Sequence, residues 1–134
     1  NIGRSPRNRK KMAVLTAGGK PAVTYYKVIE NRPDSLASVV KCRLATGRTH
    51  QIRVHMAHIG HSLVCDPVYS KSRPVRHLSP SSQAVLANFG KQALHAQTLG
   101  FAHPRTGEFI SFKAPLPDDL IAIYMALNLS LSFI

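Results

Sequence analysis

Thr46-Gly47-Arg48-Thr49-His50-Gln51-Ile52-Arg53-Val54-His55 packs two arginines, two histidines and a glutamine behind a single glycine, directly after the apolar run of residues 39–44. Gly47 lets the chain turn sharply there. Thr49 carries the hydroxyl that a helix N-cap uses to accept a bond from a first-turn amide, so a helix is predicted to start at this point. Ile52, Met56 and Ile59 recur at helical spacing and face a core, whereas Arg53, four residues after Thr49, falls on a different stripe. Arg53 is thereby held near a helix start instead of on a loose loop.

Upstream, residues 22–30 are rich in β-branched and aromatic side chains and lie between two clusters of turn formers, which predicts a strand. Alternation puts Thr24, Tyr26 and Val28 on one face and Val23, Tyr25 and Ile29 on the other, so the adjacent tyrosines point opposite ways. Residues 38–44 form a second strand, paired antiparallel with the first through the turn containing Pro33, and Cys42 sits on its apolar face. The stretch from Gly3 to Met12 holds Arg4, Arg7, Arg9, Lys10 and Lys11 with no apolar pattern, and is expected to be extended or loop-like. Each of these cations is either a phosphate contact or part of a solvated linker.

Downstream, residues 63–69 are short, apolar and broken by Pro67, and Asp66 reads as a turn or helix-cap acid. Residues 71–82, with Lys71, Arg73 and Arg76, read as a basic loop, and residues 85–89 as one helical turn. Strands are expected over 94–102 and 108–113, joined by a turn in which Gly107 takes a left-handed conformation. Asp118 or Asp119 would cap a last helix carrying Leu120, Ile123, Tyr124 and Leu127 at i, i+3, i+4 and i+7. The tail from Asn128 to Ile134 carries no assignment. The pattern is α+β, with a mostly antiparallel mixed sheet and flanking helices.

A chain of 134 residues is one domain's worth. Its net charge of +12 and pI near 10.4 draw polyanions, and a nucleic-acid partner is the economical reading. No apolar run reaches the roughly 18 residues needed to span a bilayer, which argues against a membrane protein. Two cysteines, Cys42 and Cys65, make no disulfide framework and fit a reducing compartment. His55, His58 and His61 follow one another closely, but no second cluster with zinc spacing accompanies them, so no metal site is expected.

Four ordered blocks carry a family resemblance. The opening decapeptide resembles the T-G-R-T-H-Q-I/L-R-V-H hallmark of the RluA/RluD family of RNA pseudouridine synthases, and residues 19–28 resemble its G-K-x-A-x-T-x-Y-x-V strand. Residues 59–69 are similar to the segment G-H-P-I/L-x-G-D-x-x-Y, with Ser62 and Cys65 where the family has proline and glycine. Gln92-Ala93-Leu94-His95-Ala96 and Ala114-Pro115-Leu116-Pro117 are similar to the later blocks.

The resemblance implies that residues 1–134 are the C-terminal part of one catalytic domain of the pseudouridine synthase fold. It implies an enzyme that isomerises uridine to pseudouridine in ribosomal or transfer RNA, without cofactor or metal. The family's nucleophile is an aspartate in an H-R-L-D motif upstream of the equivalent of Gly19, and these residues hold no such motif. A non-catalytic RNA-binding module is the alternative. By motif position Arg53 matches the arginine that keeps the nucleophile ionised, and Tyr26 matches the tyrosine that stacks on the target uracil. Arg48, His50, Gln51, Arg4, Arg7, Arg9, Lys10 and Lys11 are the candidate RNA contacts. The expected compartment is the cytoplasm, with mitochondrion or chloroplast as alternatives, and the oligomeric state is open.

Overall fold

The computed structural model describes residues 1–32, 34, 36–70 and 77–130. The expectations for Pro33, for Lys71, Arg73 and Arg76, and for the tail beyond residue 130 lie outside these residues.

The basic N-terminal stretch is more ordered than its composition predicted. Its two ends pair as antiparallel strands, β1 (Ile2–Arg4) and β2 (Met12–Val14), with Ile2 opposite Val14. The reason is Ile2, whose side chain is buried while its backbone exchanges two bonds with Lys20 at 2.9 and 2.8 Å. That exchange requires Gly19, where an added Cβ would stand 2.8 Å from the Ile2 carbonyl oxygen.

β3 (Thr24–Asn31) and β4 (Ser38–Leu44) pair antiparallel as expected, with Tyr26 opposite Cys42 and Tyr25 opposite Arg43. The register shifts between Val28 and Glu30, which inserts Ile29 as an extra residue. The two tyrosines do separate: Tyr25 carries the Arg43 guanidinium 4.4 Å above its ring, while Tyr26 faces a groove beside the first helix.

That helix, α1, runs Gln51–His58, and Thr49 is not its cap. His50 occupies the cap position in a left-handed conformation (φ 56°), with no side-chain cap bond. The buried stripe is Gln51, Arg53, Val54 and Met56; Met56 faces inward as expected, but Ile59 is exposed and Arg53 belongs to the buried face, contrary to the predicted stripes. At the other end the helix closes on Gly60 (φ 88°): the Gly60 amide donates to the Ala57 carbonyl and the His61 amide to that of Met56. This pair of bonds is the usual C-terminal lock of a helix, and it needs a left-handed residue where glycine stands.

α2 (Pro80–Asn88) is a full helix where the sequence reading saw a loop and one turn. Ser79 caps it by accepting from the Ser82 amide, and Pro80 opens it at the position proline prefers. β5 (Thr98–Ala102) and β6 (Phe109–Lys113) form the last antiparallel pair, with Gly107 left-handed in the turn as expected. In α3 (Asp118–Ala126) the cap position belongs to Pro117, and Asp118 and Asp119 lie inside the first turn, where their charges complement the helix dipole.

Ala37, Leu78, Ile123 and Leu127 form the buried core, with Val64, Cys65, Val85, Leu86 and Phe89 packed around them. Among the described residues the strands therefore make three separate two-stranded antiparallel pairs, not one mixed sheet, and three helices accompany them. No helix among these residues is long and apolar enough to cross a membrane.

Candidate active site around Arg53

Gln51 ties the site together. Its Nε2 donates to the Val23 carbonyl and to Thr24 Oγ1, both at 2.9 Å, and its Oε1 accepts from Thr46 Oγ1 at 2.8 Å and from the Arg48 amide at 3.0 Å. The turn before α1 is thus pinned to the start of β3. Gln51 is 3% exposed and both ends of its amide are bonded within the chain, so it offers nothing to RNA and its assignment as an RNA contact is corrected to a structural one.

Arg53 and Asp66 form a buried, two-pronged ion pair. Arg53 Nε and Nη2 donate to the two Asp66 oxygens, each at 2.8 Å, and the Val68 and Tyr69 amides add bonds to Asp66 Oδ1 at 2.9 and 3.0 Å. Burial alone would raise the Asp66 carboxyl, but the Arg53 bond and the two amides pull it down to about 2. The same bond raises Arg53 further above its ordinary value, and the Tyr69 ring lies 5.0 Å from the guanidinium carbon.

Asp66 is therefore the turn acid that the sequence suggested, and also the partner that sequence reasoning missed. No local spacing links positions thirteen apart. The one available signal was compositional, an acid inside an apolar segment of a chain with only six acids. Asp66 takes the Nε/Nη2 edge of Arg53, and the Nη1/Nη2 edge is the one that remains to meet a further anion.

His50 stands on the solvent side of this pair. Its Nδ1 lies 3.0 Å from the Tyr69 hydroxyl oxygen, which also accepts from the Met12 amide at 3.0 Å. Desolvation, then the nearby Arg53, lower its pKa. Lys11, half-buried, donates to the Val68 carbonyl at 2.6 Å, which ties the N-terminal hairpin to the segment after Asp66. Arg7, Arg9 and Lys10 are exposed, and Arg4 is exposed with one bond to the Arg9 carbonyl. Arg48 donates to the Pro21 carbonyl at 3.0 Å and, with Gly47, Thr49, Lys20, Ile2 and Met12, lines a cavity of mixed polarity of about 420 Å³.

Tyr26 lies elsewhere. It lines a largely apolar groove of about 250 Å³ with Val14, Thr24, His55, Met56 and His58. Arg53 is not in that lining, and positions 53 and 55 diverge by about 200° around a helix. Among the described residues no group of three His, Cys, Asp or Glu is placed to hold a metal ion.

The RNA pseudouridylate synthase family matches residues 2–58. Over 130 residues the chain is 48% identical to the ribosomal large subunit pseudouridine synthase D of Zymomonas mobilis, covering 96% of this chain and 39% of that protein. It is 50% identical over 131 residues to the protein of the same name from Neisseria meningitidis serogroup A, covering 96% and 33%. It is also 47% identical over 119 residues to an uncharacterized RNA pseudouridine synthase of Bacillus subtilis, covering 89% and 34%. The chain spans between a third and two fifths of the length of these relatives. On this footing the chain belongs to the RluA/RluD family of RNA pseudouridine synthases.

Proposed function

We propose that this chain serves the isomerisation of uridine to pseudouridine in ribosomal RNA as part of a pseudouridine synthase fold, with Arg53 at the catalytic centre. The reaction breaks the N1–C1′ bond of a uridine, turns the base and rejoins it through C5. The family's nucleophilic aspartate must stay ionised in a pocket that excludes water, and a fixed cation beside it favours the charged form. No H-R-L-D stretch occurs in these residues, and the chain alone is expected to form no pseudouridine.

The observation that carries this reading is the immobilised guanidinium. A phosphate clamp is exposed and mobile; Arg53 is 9% exposed, locked by Asp66, and keeps its Nη1/Nη2 edge for an incoming carboxylate. Arg48, Arg4, Arg7, Arg9 and Lys10 supply the charge that holds RNA. Tyr26 takes a second role: its ring, 56% exposed on the apolar groove, is a stacking surface for an RNA base, worth ~1–3 kcal/mol.

Tritium release from 5-tritiated uridine in ribosomal RNA, with a synthase containing this chain, tests the reading. Arg53→Lys keeps the charge but loses the planar fork, and activity per folded molecule should fall by orders of magnitude with RNA affinity little changed. Equal loss of affinity and activity would make Arg53 a phosphate contact and overturn the assignment. Tyr26→Leu should weaken RNA binding while Tyr26→Phe does not.

A further inference from the structure

His50 and His55 share one hydrogen-bond logic, although they sit at opposite ends of α1. The Tyr69 hydroxyl oxygen accepts from the Met12 amide, which can only donate, and this leaves its own proton available to His50 Nδ1, 3.0 Å away. The Thr24 hydroxyl repeats the arrangement. Its oxygen accepts from Gln51 Nε2, whose orientation is fixed because the other end of the amide accepts from the Arg48 backbone, and its proton is left available to His55 Nδ1, 2.9 Å away. With each hydroxyl donating to Nδ1, both rings carry their proton on Nε2. Protonating Nδ1 as well would require the hydroxyl to turn its proton away, so the arrangement favours the uncharged ring.

We propose that His50 and His55 act as neutral hydrogen-bond donors through Nε2–H toward uncharged acceptor oxygens of RNA, a base carbonyl or a 2′-hydroxyl. Tyr69 and Thr24 are the positioning residues that fix this tautomer. The RNA part rests on the function proposed above; the tautomer does not. The charged neighbours point the same way. Arg53 and Arg4 disfavour a cation at His50, opposed by Asp66, while the amino terminus and His58 disfavour one at His55. The left-handed backbone at His50 holds the ring at the exposed head of the helix, and His55 lines the Tyr26 groove.

Nitrogen-15 spectra of the chain labelled at histidine, recorded from pH 5 to 8, read the tautomers directly. Both rings should be Nε2–H at neutral pH and should charge at lower pH than an ordinary histidine. Tyr69→Phe should return only His50 to a tautomer mixture, and Thr24→Val only His55. Thr24→Ser, which keeps the hydroxyl, should restore His55. An Nδ1–H tautomer, a ring already charged at pH 7, or a substitution that moves both rings alike would overturn the lock.

In RNA titrations His50→Leu should weaken binding by roughly 3- to 10-fold, the weight of one hydrogen bond. Its salt slope should equal that of the unsubstituted chain, because no phosphate charge is lost. A slope shallower by about one counterion would make His50 a cationic phosphate contact and overturn the RNA part of the proposal. If the unsubstituted chain binds no RNA, that part falls together with the proposed function, while the spectra still decide the tautomer.

Discussion

Asp66→Asn removes one charge from the most buried ion pair among the described residues while keeping the shape and an oxygen for the Val68 and Tyr69 amides. The cost follows from what stays behind: Arg53, 9% exposed, would keep its charge with no counter-ion. Breaking a buried pair from one side typically costs about 3–5 kcal/mol, a large share of the roughly 5–15 kcal/mol that holds a domain together. A second route gives a compatible size. The Asp66 carboxyl drops from an ordinary 3.8 to about 2, and a shift of nearly two units corresponds to about 2.5 kcal/mol at neutral pH. A depressed carboxylate stabilises above its unfolded pKa and loses that contribution as pH falls through its folded one, so the window lies between about pH 4 and pH 2. Urea unfolding followed by circular dichroism, at pH 7 and at steps down to pH 2, is the assay. The substituted chain should lose about 3–5 kcal/mol at pH 7, and the difference between the two chains should shrink as acid protonates Asp66. Equal midpoints at pH 7, or a difference that does not change across the acid window, would refute the claim that this pair is a compensated buried charge.

Gly60→Ala should destabilise by about 1–2 kcal/mol, because an L side chain is strained in the left-handed conformation that closes α1; equilibrium denaturation checks it. Cys65 is itself left-handed (φ 56°), so Cys65→Gly should be more stable than Cys65→Ala by about 1 kcal/mol, the reverse of the order at an ordinary site, as compared melts would show. Affinity for structured RNA should fall by orders of magnitude between roughly 50 and 200 mM salt if several exposed cations contact phosphates; filter binding at graded salt measures it, and a flat response would count against RNA contact by the N-terminal cations.

What was legible in the sequence, and what was not, divides by range. The strands β3 and β4 and the turn at Gly107 announce themselves in alternation and turn chemistry, which are local signals, and the structure places them close to the expected bounds. β1 was hidden because three residues carry no periodicity; its evidence is a single buried isoleucine and the glycine that lets Lys20 reach it. α2 was misread for the opposite reason. Its serines and proline read as loop composition, whereas Ser79 and Pro80 are a start signal in the right order.

The same division explains the site. Motif position singled out Arg53 and Gln51, but spacing could not say that one is held by an aspartate thirteen residues on and the other is consumed by the turn it stabilises. Nor could it say which face of α1 packs inward, where the polar residues Gln51 and Arg53 are buried and Ile59, which hydrophobic periodicity assigns to the core, is exposed. A buried stripe made of a glutamine and an arginine is affordable only where each polar atom is matched, and among the described residues no buried side-chain nitrogen or oxygen is left without a bond. Here the polar groups specify the fold and the site at once: the amide that pins the turn sets the hydroxyl that sets His55, and the carboxylate that anchors Arg53 also orders the Val68-Tyr69 backbone whose hydroxyl sets His50. A hydrophobic reading of the sequence is blind to that coupling, because it scores each of these residues as a surface position.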